Sequence, residues 1–157
     1  MADATPVHRY PTITPHLGVD DPGAALDFYA KAFGAEELVR LRMPDGTIAH
    51  AEMLLDGALI TLGKAIEAFH LAAPEPDEPV QVTITWFCDD VDAAYARAVE
   101  AGATPDTPVA DQFHGDRVGT IRCPFGHRWV VATHVEDVPY AEQQRRLDEM
   151  MSQGAPG

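Results

Sequence analysis

Two stretches of this chain, VDDPGAALDFYAKAFGA from Val19 and CDDVDAAYARAVEAGA from Cys88, align with a single gap. Each sets an Asp-Asp pair ahead of apolar residues at helical spacing and closes on Gly-Ala. An offset of about 69 residues inside one domain-sized chain restricts the fold to two stacked copies of one supersecondary unit.

In the first copy, residues 12–19 read as a β-branched and apolar strand. Asp21 then offers a carboxylate to the orphan amides of a helix, and Pro22 occupies the first helical position, where no amide is needed. Ala25, Leu26, Phe28, Tyr29, Ala32 and Phe33 make one apolar face, and Gly34 stops the helix. Residues 38–43, 48–55 and 58–62 follow as three strands, separated by Pro44-Asp45-Gly46 and by the hairpin signal Asp56-Gly57. The second copy repeats the order: a strand at 81–88, a helix opened by Asp90 and closed by Gly102, and strands near 107–110, 117–122 and 128–133. The last two are joined by a tight turn over Pro124 to Gly126, and 111–115 form a polar and aromatic loop.

The reading is therefore α+β, with a βαβββ module at 12–63, an acidic, proline-rich linker at 64–80 and a second module at 81–136. These form one domain over 12–136. Residues 1–11 are expected to be a flexible tail, and 137–157 a C-terminal helix and tail with Tyr140, Leu147, Met150 and Met151 as its apolar contacts.

A formal net charge of −14 argues against nucleic acid, which is bound by clustered Lys and Arg. The charge suits either a neutral or cationic partner or simple solubility. No apolar run approaches the ~20 residues of a membrane helix, and the first ten residues lack a basic and then hydrophobic leader, so a cytoplasmic protein is expected. Cys88 and Cys123 have no CxxC spacing and read as packed thiols. The single serine, Ser152, sits in the tail and is no candidate for nucleophilic triad chemistry.

With Asp-Phe-Tyr (27–29), Phe-Gly-Ala (33–35), His-Ala-Glu (50–52), Gly-Asp-Arg (115–117) and Pro-Phe-Gly-His-Arg-Trp (124–129) in view, the chain resembles the vicinal oxygen chelate superfamily. That group includes glyoxalase I, extradiol dioxygenases and bleomycin-resistance proteins, and the likeness spans residues 12–136. Within it the chain is most similar to the glyoxalase-like, or demethylubiquinone-methyltransferase-like, subgroup, although Cys123 stands where that subgroup has Asp. The resemblance implies two βαβββ modules in a curled mixed sheet around a cleft. In metal-dependent members, His, Gln or Glu side chains from the first and last strand of each module hold an ion there.

By the resemblance, the first-strand ligand lies about seven residues before the helix-opening Asp, which falls on Thr14 and Thr83; the last-strand carboxylate falls on Val130. A hydroxyl and an aliphatic group cannot replace imidazole and carboxylate donors. No metal or other cofactor is therefore favoured. The alternative is a displaced site of His16, His50, Glu52 and His134 holding Zn, Ni, Fe or Mn in a lyase, isomerase or dioxygenase. If no ion fills the cleft, His16, Trp86, Phe113, His114 and Trp129 are the expected ligand-binding residues. An acidic surface around aromatic walls favours a planar cation, whereas Arg117 and Arg128 would oppose one if they faced inward. The leading expectation is a metal-free small-molecule binder, a homodimer that sequesters a cationic or aromatic toxin or antibiotic.

Overall fold

The computed structural model describes residues 10–154, so nearly all of the expected N-terminal tail lies outside the described residues. The chain divides into two compact units, Met1–Pro74 and Glu75–Gly157.

In the first unit, strand β1 (His16–Val19) leads into helix α1 (Pro22–Phe33), and β2 (Glu36–Arg42), β3 (Ile48–Leu55) and β4 (Ala58–Lys64) follow. The sheet order is β1-β4-β3-β2, with β1 parallel to β4 and the other neighbours antiparallel. The α1 start obeys the sequence: Asp21 accepts from the amides of Gly23 and Ala24 at 3.0 Å each, and Gly34 adopts the left-handed conformation at the far end. Asp21→Ala should cost about 0.5–2 kcal/mol, read as a lower urea midpoint at unchanged slope. Leu17, Leu62 and Ala51 form one cross-strand row, and α1 covers this side, with Gly23 against Ile48 and Asp27 3.7 Å from Arg40. The core of the unit is the apolar face of α1 against that row.

Two expectations change here. Residues 12–15 are not part of β1; Pro15 has no amide to give a ladder, and Ile13 is exposed. The first part of the 64–80 segment is structured, although largely exposed: it holds a 3₁₀ turn (Glu67–Phe69) and an Ile66–Leu71 bridge. Leu71 lies over the sheet where Gly18 and Gly63 leave room, since a Cβ on Gly18 would stand 2.6 Å from the Ala72 carbonyl oxygen. Glycine is required there by close approach, which the proline-rich composition did not reveal.

In the second unit, β5 (Thr83–Phe87), α2 (Val91–Glu100), β6 (Thr104–Asp111), β7 (Asp116–Arg122) and β8 (Arg128–His134) repeat the pattern in the order β5-β8-β7-β6. Again the first and last strands are parallel. The edge strand β6 is longer than its sequence suggests and carries register irregularities, in keeping with Pro105 and Pro108. Helix α3 (Tyr140–Ser152) is fastened to this unit by Arg146, which donates to Glu136 at 3.0 Å and to the Phe113 carbonyl at 3.3 Å. No helix among the described residues is long and apolar enough to cross a membrane.

Candidate functional site

Strand alternation sends successive side chains to opposite faces. In the first unit the row His16–Thr61–Glu52 and the neighbouring row Gly18–Gly63–His50 therefore share the face away from α1. The sequence offered His16, His50 and Glu52, with His134, as one displaced site, and the fold brings the first three onto one face. Their geometry is specific. His16 Nδ1 lies 2.7 Å from the Thr61 hydroxyl, which itself donates to the Pro15 carbonyl at 3.1 Å. The hydroxyl proton is thus committed, so His16 Nδ1 is the donor, and its neutral ring keeps a bare Nε2 over Gly63. The His16 and His50 rings stack with centroids 6.0 Å apart. Burial, and then the charge of His50, hold the His16 pKa below its ordinary value.

Glu52 is the unusual member. Only 2% of it is exposed, at the middle of the sheet, and its Oε1 receives both His50 Nε2 at 3.1 Å and the Tyr10 phenol. A buried carboxylate is costly unless donors surround it. Two of these donors are a phenol and an imidazole. The bond to Glu52, then burial and the carboxylate charge, raise the Tyr10 pKa. Tyr10 and Thr61 were missed from sequence: the first lay in a supposed tail, and threonine in a strand is an ordinary β former.

The remaining expected ligand residues belong to the second unit. Trp129 is wholly buried and Trp86 is 8% exposed. Both point to the α2 side of their sheet: Ile84, Trp129 and Ile121 form one row, Trp86, Val131 and Gly119 the next, and Tyr95 of α2 sits against Gly119. The sequence left both indoles open between pocket wall and core; here they are buried, because strand parity turns them under the helix. Phe113 and His114 occupy the β6–β7 turn in edge-to-face contact, 5.2 Å between centroids. His114 Nδ1 is 3.1 Å from Asp116, which also holds His134 Nδ1 at 2.8 Å, and His134 Nε2 meets Asp137 at 2.9 Å. His114 and His134 border a cavity of about 370 Å³ at the start of α3. Arg128 faces away from α2 with its charge met by Asp106 at 2.6 Å, and Arg117 is clamped by Asp92 and Asp111.

Hydrogen bonds to Asp116 and Asp137 raise the His134 pKa. A raised histidine stabilises the fold while protonated and loses that contribution as pH climbs through its folded pKa. The opposite holds for His127, which burial, and then Arg122, depress to about 4. Its contribution is complete above its unfolded value and should drain away by roughly 3 kcal/mol at most as pH falls from the ordinary histidine range toward 4. His127→Phe should flatten the acid limb of a urea-midpoint profile between pH 7 and 4, leaving the alkaline limb to His134.

The profile of the Glyoxalase/Bleomycin resistance protein/Dioxygenase superfamily matches residues 11–131. The chain belongs to that superfamily. It is 39% identical over 157 residues to the uncharacterized protein Rv0887c of Mycobacterium tuberculosis, covering 98% of this chain and 91% of that one. It is 40% identical over 147 residues to Mb0911c of Mycobacterium bovis, at 92% and 95% coverage. Among solved structures it is similar to TioX from Micromonospora sp. ML1, with a TM-score of 0.62, 25% identity, and 80% of this chain and all of that one covered. A superfamily protein from Nocardioides shares the fold at a TM-score of 0.62 and 22% identity, over 87% of this chain and 91% of that one.

Members of this superfamily commonly hold a metal, and the donor set here does not fit one. The sheet rows that join first and last strands carry His16 with Thr61 in one unit and Thr85 with Val130 in the other. Thr14, counted from the helix start as a ligand position, lies ahead of β1. Only His16 among these is an imidazole or carboxylate. In the displaced alternative, His50 Nε2 and Glu52 Oε1 are bonded to each other, and both nitrogens of His134 are bonded to aspartates. Among the described residues, no group of three or more His, Cys, Asp or Glu side chains is arranged to hold an ion.

Proposed function

We propose that this chain is a small-molecule binding protein that works without a metal, taking an aromatic or cationic compound against the face of β1, β4 and β3 that α1 leaves uncovered. The observation that carries this reading is Glu52: a carboxylate buried in a sheet that accepts from a phenol and lies within hydrogen-bond reach of an imidazole. Glu52 would anchor a donor on the ligand, and the bare His16 Nε2 would accept a second one. The chain's net charge of −14 adds long-range attraction for cations. Sequestration of a toxic compound or antibiotic in the cytoplasm, by a homodimer, is the concrete form of the proposal.

Imidazole NMR resonances of His16 and His50 test it. During titration with planar aromatic cations, and with neutral aromatic and aliphatic controls, saturable shifts at both histidines in chelator-treated protein are expected. Shifts that arise only after a divalent ion is added would overturn the metal-free reading. Light scattering of the native protein tests the dimer, with twice the 17.0 kDa chain mass expected.

A further inference from the structure

We infer that Tyr10 is a resident occupant of this site and that its phenol marks the ligand class: a hydroxyaromatic compound whose hydroxyl takes the place of Tyr10 on Glu52. The inference rests on the reading of the Glu52 face given above. Tyr10 belongs to no strand or helix, is 55% exposed, and yet donates to a carboxylate 42 residues away. The segment behind it carries Pro11 and Pro15 and is tied down at Pro15, whose carbonyl accepts from the Thr61 amide at 3.0 Å and the Thr61 hydroxyl at 3.1 Å. Beyond that anchor Ile13 is exposed. A phenol five residues ahead of that anchor is therefore seated on a buried acceptor.

The chemistry of exchange favours the same class of molecule. Removing a donor from a buried carboxylate leaves its desolvation unanswered, so whatever displaces Tyr10 must bring an equivalent donor. A phenol brings the same hydroxyl on the same flat ring, so the exchange leaves Glu52 and its bond to His50 unchanged. A tethered competitor acts at an effective concentration near the millimolar range, so Tyr10 sets the ligand concentration at which the site fills.

The test uses the full chain and 4-methylphenol as probe, titrated into wild type, Tyr10→Phe and Tyr10→Ala and followed at the His16 and His50 resonances. Both variants should bind the probe about tenfold more tightly than wild type, since the internal competitor is gone. 4-Methylanisole, which lacks the proton, should gain nothing, and Glu52→Gln added to Tyr10→Ala should remove the gain. Thermal melting of each variant checks folding: loss of the phenol donor should lower the melting temperature, but Tyr10 belongs to no strand or helix and the fold should remain. Equal or weaker binding by Tyr10→Ala would overturn the inference, as would an equal gain for 4-methylanisole or a gain confined to a benzylammonium probe. If wild type responds to other aromatic compounds while Tyr10→Ala ignores 4-methylphenol, this inference alone falls. Silence from every compound in every variant removes the proposed function with it.

Discussion

Trp129→Ala is expected to destabilise the protein by about 3–5 kcal/mol, the largest effect of any single substitution considered. Trp129 is wholly buried in β8, paired with Ile84 on one side and Ile121 on the other. Truncation leaves a cavity bounded by strands that cannot close over it, because both neighbours are fixed by their own ladders. A loss of that size is a large share of the 5–15 kcal/mol that holds a typical domain together. The measurement is a urea or thermal unfolding curve, with Phe87→Ala as control. Phe87 is 57% exposed, so its loss should shift stability by no more than about 0.5 kcal/mol. If Trp129→Ala behaved like the control, the placement of the second core would be wrong.

Glu52→Ala is the second large effect, and its signature is a split between binding and stability. His50 and Tyr10 lose their common acceptor, but both rings reach solvent and can turn to water. Removing a buried carboxylate also removes its desolvation cost, so the fold should hold to within about 1 kcal/mol or gain slightly. Ligand affinity should fall about ten- to a hundredfold, the worth of a charge-assisted hydrogen bond of 1.5–3 kcal/mol. Calorimetric titration beside a melting curve reads both quantities. Strong destabilisation with unaltered affinity would mark Glu52 as structural.

The fold was legible because its cues are local and occur twice. Asp21 and Asp90 both cap helices, and the strands after them alternate as their side chains suggest. Strand ends were less legible where proline decides pairing, at Pro15 and along β6. The site was half legible. His50 and Glu52 stand two residues apart in β3, so alternation could place them on one face, whereas His16 joins them only through β4, which lies between β1 and β3. Which face of the second sheet holds Trp86 and Trp129 depends on where α2 lands, which no short-range pattern encodes. Tyr10 was invisible for a related reason: its partner is set by tertiary packing, and a tyrosine between Arg9 and Pro11 carries no periodicity.

Metal content of the native protein, purified without chelator and measured by mass spectrometry against chain concentration, tests the central claim most directly. A Zn, Ni, Fe and Mn content far below one ion per chain is expected, with ligand shifts at His16 and His50 undiminished by chelation. One tightly held ion per chain, lost in His50→Ala, would contradict it.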